Sequence, residues 1–216
     1  MKNDAIIFDI DGTLWDSRAA VAKGWNKGLV DLKLAERVTV QGIESVMGNP
    51  VEKCVDILLP GLRSARPELL EILGRFEFDA IETDGGLFYD GVSSGIEKLA
   101  GIYKIFLVSN CQDWYMHSFI KAAGIGRILA GFDCHGLSGL QKSAMLVKMK
   151  NDYRLINPVY IGDTAGDETA TLAAGMEFAH AAYGFGSVVN KTLFFASFPA
   201  LVDYFLGRAA AGPKTI

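Results

Sequence analysis

The stretch Asp4-Ala5-Ile6-Ile7-Phe8-Asp9-Ile10-Asp11-Gly12-Thr13-Leu14 decides how the rest of this chain is read. Ala5 to Phe8 form an apolar run too short for a helix and suited to a strand buried on both faces. The run ends in two carboxylates, Asp9 and Asp11, at the place where an open parallel sheet binds its ligands. Two like charges this close repel unless a cation or a proton sits between them. A hard divalent ion such as Mg²⁺ suits oxygen ligands of this kind. Gly12 permits a tight turn with exposed backbone N–H groups, and the Thr13 hydroxyl can join them in holding an anion. A calcium-binding helix–loop–helix fits worse, because its glycine belongs at the sixth position of the loop and a helix precedes it.

Outward from this stretch, the pattern changes to helical. Ser17 is the expected N-cap of a helix carrying Val21, Trp25, Leu29 and Leu32. Pro50 opens a second helix with Val51, Cys54, Val55 and Leu58, and Pro67 a third with Leu69, Leu70, Leu73, Phe76 and Ile81. Residues 16–84 show no strand and far exceed the ~12–15 residues of an unstructured connection, so they are expected to form a small helical domain. Hinges are expected near Asp16 and Gly85. From Val92 onward, helices and short apolar strands alternate. Strands are expected at Lys104–Val108, Gly131–Cys134, Pro158–Ile161 and Glu177–Ala181. Helices are expected at 93–101, Trp114–Ala123, Gln141–Asp152 and Ala165–Ala174, with a last amphipathic helix from Phe198 and a loose tail at 209–216. This alternation predicts an α/β fold, a Rossmann-like parallel sheet with helices on both faces. The core would comprise residues 1–15 and 85–216.

Three further expected strand or helix ends carry polar groups. Ser109-Asn110 follows Ile105-Phe106-Leu107-Val108, and Gly162-Asp163-Thr164-Ala165-Gly166-Asp167 follows Val159-Tyr160-Ile161. Capping of the following helix would account for Asp163 but leave Asp167 unexplained. Lys142 begins the helix between these two sites. Together these groups supply the needs of phosphoryl transfer: a carboxylate to attack phosphorus, a second to handle the leaving-group proton, and cations to neutralise the phosphoryl oxygens. Positioning and electrostatics supply most of the acceleration in such chemistry.

At this point the chain resembles the haloacid dehalogenase (HAD) superfamily. Its four motifs stand in order as Asp9-Ile10-Asp11-Gly12-Thr13, Ser109-Asn110, Lys142 and Gly162-Asp163 with Asp167. The helical insertion after the first motif is similar to the cap of the phosphoglycolate phosphatase-like subgroup. Gly48-Asn49-Pro50 resembles its substrate-contacting loop, and Tyr89-Asp90-Gly91-Val92 the segment re-entering the core. The resemblance implies Asp9 as nucleophile and Asp11 as general acid/base. It implies Gly12, Thr13, Ser109, Asn110 and Lys142 as phosphate ligands, and a Mg²⁺ site built from Asp9, the Asp11 region and Asp163, with Asp167 behind them. The expected activity is a phosphatase acting on a small phosphorylated metabolite through an aspartyl-phosphate intermediate. Asp11 argues against a dehalogenase, which lacks the second aspartate. Alternatives are a mutase, a phosphonatase or a non-hydrolytic phospho-binding module. None of the three histidines falls in residues 16–84, where mutases of this kind carry one. Arg18, Asn49 and Lys53 are the polar candidates there for substrate contact.

The bulk properties agree. A net charge of -4 argues against nucleic acid or an anionic membrane as partner. Cys54, Cys111 and Cys134 form no CxxC, so no disulfide framework or zinc site is indicated. No signal region or bilayer-length apolar run is present, and a cytoplasmic protein is expected. Asn190-Lys191-Thr192 matches a glycosylation acceptor without meaning in that compartment. Gly91-Val92-Ser93-Ser94-Gly95 fits a serine-hydrolase elbow, yet residues 86–90 make a poor strand before it. Gly184 to Val189 stop short of a dinucleotide-binding glycine pattern.

Overall fold

A computed structural model describes residues 3–188 and 193–210 of the chain. Asn190-Lys191-Thr192, Val189 of the glycine-rich stretch and residues 211–216 of the expected tail lie outside the described residues. The strands are β1 (Ala5–Phe8), β2 (Trp15–Asp16), β3 (Leu87–Phe88), β4 (Lys104–Ser109), β5 (Leu129–Cys134), β6 (Val159–Gly162), β7 (Glu177–Ala181) and β8 (Phe194–Phe195). Five helices occupy residues 18–84: α1 (Arg18–Asp31), α2 (Val40–Val46), α3 (Val51–Leu58), α4 (Leu62–Ala65) and α5 (Leu69–Asp84). The remainder are α6 (Val92–Ala100), α7 (Asp113–Ala123), α8 (His135–Ser138), α9 (Lys142–Asp152), α10 (Ala165–Ala173) and α11 (Phe198–Ala210).

The main sheet runs β5-β4-β1-β6-β7-β8, with every pairing parallel. It is the α/β sheet the alternation predicts. Strand periodicity divides its side chains between two cores. Ile6, Phe8, Ile105, Leu107, Val159 and Ile161 face the larger, which also takes in Trp25 and Leu29 of α1 and Leu73 of α5. Ala5, Ile7, Phe106, Val108 and Tyr160 face the smaller, closed by Met145, Leu146 and Met149 of α9. The helices of residues 18–84 thus share a continuous core with one face of the sheet.

Several elements were not legible beforehand. Strands β2 and β3 pair antiparallel, Trp15 opposite Phe88, where the chain leaves and re-enters the sheet region. Trp15 packs edge-on against Phe119 at 5.2 Å between centroids. Two-residue strands such as β2, β3 and β8 are too short to show alternation. Helix α2 is started by Thr39, whose Oγ1 accepts from the Gly42 N–H at 2.9 Å. Helix α11 continues through Ala210, so residues 209 and 210 are helical, not tail. Among the described residues no helix is long and apolar enough to cross a membrane.

Candidate active site

Parallel register brings the strand ends to one edge. Phe8 lies between Leu107 and Ile161, so Asp9, Ser109 and the residue after Gly162 leave the sheet together. The Asp9 N–H donates to the Ile161 carbonyl at 2.8 Å, which holds Asp9 at the edge of the ladder. Asp9, Asp163 and Asp167 are buried, and one oxygen from each lies within 4.8 Å of the others. Lys142, only 5% exposed at the start of α9, places Nζ 3.1 Å from Asp9 Oδ2 and 2.5 Å from Asp167 Oδ1.

Thr164, not Asp163, caps α10. Thr164 Oγ1 accepts from the Asp167 N–H, and Asp167 Oδ2 accepts from the Thr164 N–H at 3.0 Å, a reciprocal capping box. Capping therefore accounts for one oxygen of Asp167 and does not engage Asp163. Asp163 Oδ2 accepts from the Phe185 N–H at 2.8 Å. Gly12 has φ +75°, and a Cβ there would sit 2.2 Å from Asp163 Oδ2, so no other residue fits between turn and carboxylate.

Buried carboxyls at this density resist ionisation. Burial pushes Asp9 up to about 7, with Asp167 and Asp11 adding to the effect and Lys142 opposing it. Burial raises Asp163 well above the usual range as well. Burial acts on Asp167 in the same sense, but Lys142 and Thr164 outweigh it and hold that carboxyl below its ordinary value. Among the described residues, Asp9 Oδ1 and Asp163 Oδ1 have no hydrogen-bond partner. Buried acceptors without donors are costly. The donor set, hard oxygens around one point with a deficit of positive charge, fits a divalent metal ion.

Asp11 is not among those carboxylates. The chain turns at Ile10, whose carbonyl accepts from the N–H groups of Thr13 and Leu14, and this swings Asp11 away from Asp9. Asp11 Oδ1 accepts from Tyr115 Oη at 2.5 Å and Ser17 Oγ at 2.9 Å. Its side chain therefore stands outside the group of three carboxylates close enough to share one ion. Burial pushes Asp11 up to about 6 against those two hydrogen bonds. Ser17 occupies the N-cap position of α1, but its hydroxyl serves Asp11 instead of the helix.

A cavity of about 70 Å³ adjoins Asp9 and Asp11. Ser109, Asn110, Gly48 and Asn49 line it, and Val21, Trp25, Ile43, Val46 and Cys54 form its apolar wall. Asn110 Nδ2 donates to the Gly48 carbonyl at 2.7 Å, tying the expected loop to the β4 end. Pro50 does not line this cavity; it begins α3 and faces the neighbouring cleft with Lys142 and Lys53. Thr13 Oγ1 is buried without a partner among the described residues. Arg18 is held by Asp16 and Glu44 and stacks on the Phe185 ring at 4.3 Å, away from the cavity. Ser93 is exposed on α6, and His135 and His180 bond the Leu140 and Asp163 carbonyls, so the serine-hydrolase elbow has no geometry behind it. Sequence reading missed Tyr115, the Phe185 N–H, Trp25 and Glu77 as site groups. Their spacing marks them only as members of apolar helices or loops.

A parallel sheet with this cluster of aspartates and a lysine at the carboxyl end of its central strand defines a hydrolase of the haloacid dehalogenase type. Residues 6–181 match the family described as haloacid dehalogenase-like hydrolase. The chain belongs to that family. It is 30% identical to a phosphoglycolate phosphatase from Psychrobacter arcticus, over 95% of this chain and 97% of the relative. A phosphoglycolate phosphatase from Photobacterium profundum is 26% identical over 92% and 93%. A haloacid dehalogenase-like hydrolase from Streptococcus pneumoniae shares the fold, with a TM-score of 0.82 at 18% identity, covering 94% of this chain and 98% of that one. Family and relatives place the chain among phosphatases.

Proposed function

We propose that the protein is a Mg²⁺-dependent phosphatase that hydrolyses a small phosphorylated metabolite by way of an aspartyl phosphate on Asp9. The observation that carries this reading is Asp9 Oδ1: a buried carboxylate oxygen without a partner, beside Lys142 and at the mouth of a cavity. Asp9 attacks phosphorus, and the leaving alcohol takes a proton from Asp11. Asp11, held by Tyr115 and Ser17 beside the cavity, then takes a proton from the water that hydrolyses the acyl phosphate. Gly12, Thr13, Ser109 and Asn110 offer donors to the phosphoryl oxygens, and Lys142 offers charge. Asp9 and Asp163 would hold Mg²⁺, with Asp167 orienting Lys142 and the metal's surroundings. When bound, the ion neutralises phosphoryl charge and lets Asp9 ionise near neutral pH.

Residues 16–84 act in this reading as a cap over a core of 1–15 and 85–216, hinged near Asp16 and Gly85, that closes to exclude water. The paired strands at Trp15 and Phe88 support hinges at that place. An aryl phosphate assay tests the proposal. Turnover should require Mg²⁺ and vanish with chelator, and Asp9→Asn should lower the rate at least about a thousandfold. An Asp9→Asn rate within about tenfold of wild type would overturn the nucleophile assignment.

A further inference from the structure

Among the described residues lining the cavity beside Asp9 is one carboxylate that the proposed reaction leaves unused, Glu77. Gly24 of α1 packs directly on the backbone of α5: a Cβ there would lie 2.7 Å from Glu77 Cα and from the Phe76 carbonyl oxygen. This close approach lets Trp25 Nε1 donate to Glu77 Oε2 at 2.6 Å. Glu77 joins Asp9, Asp11, Val21 and Val46 in the cavity wall. Among the described residues its second oxygen accepts no hydrogen bond, and no cation lies within 4.0 Å of the carboxylate. Among the described residues no lysine or arginine lines the cavity. Lys142 is engaged by Asp9 and Asp167, and Lys53 is exposed on the neighbouring cleft.

Resting on the phosphatase reading above, we infer that the protein selects phosphomonoesters whose leaving alcohol ends in a hydrogen-bond donor, hydroxyl or ammonium, received by Glu77. The same wall rejects an alcohol that ends in a carboxylate. A short carbon chain suits the apolar wall of the cavity. A donor at its end satisfies the free oxygen of Glu77. A carboxylate there would be desolvated against the Glu77 carboxyl, with no lysine or arginine among the described lining residues to receive it. Phosphoglycolate, the substrate in the names of the sequence relatives, carries that carboxylate. The inferred preference therefore separates this chain from them.

The test compares kcat/KM for glycerol phosphate, phosphoethanolamine and phosphoglycolate with Mg²⁺ present, and with para-nitrophenyl phosphate as reference. The better of the two donor-bearing esters should exceed phosphoglycolate by at least about tenfold, and their ranking tells hydroxyl from ammonium. Glu77→Gln, which keeps the shape and turns an amide toward the cavity, should shrink that ratio by about fivefold or more. Wild type that turns over phosphoglycolate as well as or better than both donor-bearing esters overturns the inference. So does a ratio unmoved in Glu77→Gln with aryl phosphate turnover intact. Should Glu77→Gln lose aryl phosphate activity, the wild-type ratio alone decides. Absence of aryl phosphate turnover in wild type defeats the phosphatase reading itself, a separate outcome from a wrong preference.

Discussion

Asp9 and Asp11 stand two positions apart, and a continued strand would aim both the same way. The turn at Ile10 separates them, so Asp9 meets Lys142 while Asp11 meets two hydroxyls. The pair thus acquires the unlike surroundings that a nucleophile and a general acid need. Tyr115 stabilises the ionised form of Asp11 and so lowers its affinity for protons. Tyr115→Phe should raise the Asp11 value above about 6 and move the alkaline limb of the kcat/KM profile upward, by roughly half to one pH unit. A limb that stays in place or moves down would mean the hydroxyl does not support the carboxylate. Both aspartates were legible in the sequence, because a short apolar run announces the strand they end. Tyr115 was not, since nothing in its spacing on α7 distinguishes it from a buried aromatic.

At the scale of elements, the decisive contact is α1 against α5. Their helical spacing was readable from Val21, Trp25 and Leu29 on one and Leu69, Leu73 and Ile81 on the other. Spacing reports which face is apolar but not which partner that face meets. The partner is set by Gly24, whose missing side chain admits the α5 backbone. Gly24→Ala should push the two helices apart and destabilise the protein by about 1–3 kcal/mol, the usual cost of overpacking. A urea titration reads this as a lower midpoint with unchanged slope. An unchanged midpoint would mean the interface gives way without cost. The cap of α10 teaches the same lesson. Thr164 and Asp167 satisfy each other, and the Thr-x-x-Asp spacing that allows this does not say that Asp163, directly after the strand, stays out of the cap.

For the whole molecule, the aspartate cluster links folding to protons and metal. Asp9 moves from an ordinary 3.8 to about 7 in the fold, and Asp163 moves in the same direction. The native state therefore holds protons that the unfolded chain releases. Their stabilising contribution is complete below pH 3.8 and is lost as pH rises through about 7. Asp167 opposes this, since its depressed value contributes stability above the ordinary carboxylate range and loses it in acid. Without divalent metal, the cluster should be less stabilising at pH 8 than at pH 5, and Mg²⁺ should raise the melting temperature more at pH 8. Thermal melts with chelator and with Mg²⁺ at both pH values check this; an equal gain at both would separate the metal from these carboxyls. The sequence alone determined the parallel α/β sheet, the long helical insertion and the acidic residues that end its strands. Each of these is a local pattern of apolar periodicity broken by a polar turn. Only the tertiary structure decided that Asp11 turns aside from the cluster and that Glu77 enters the cavity beside Asp9. Both depend on contacts between residues far apart in the chain, and no local spacing encodes which faces will meet.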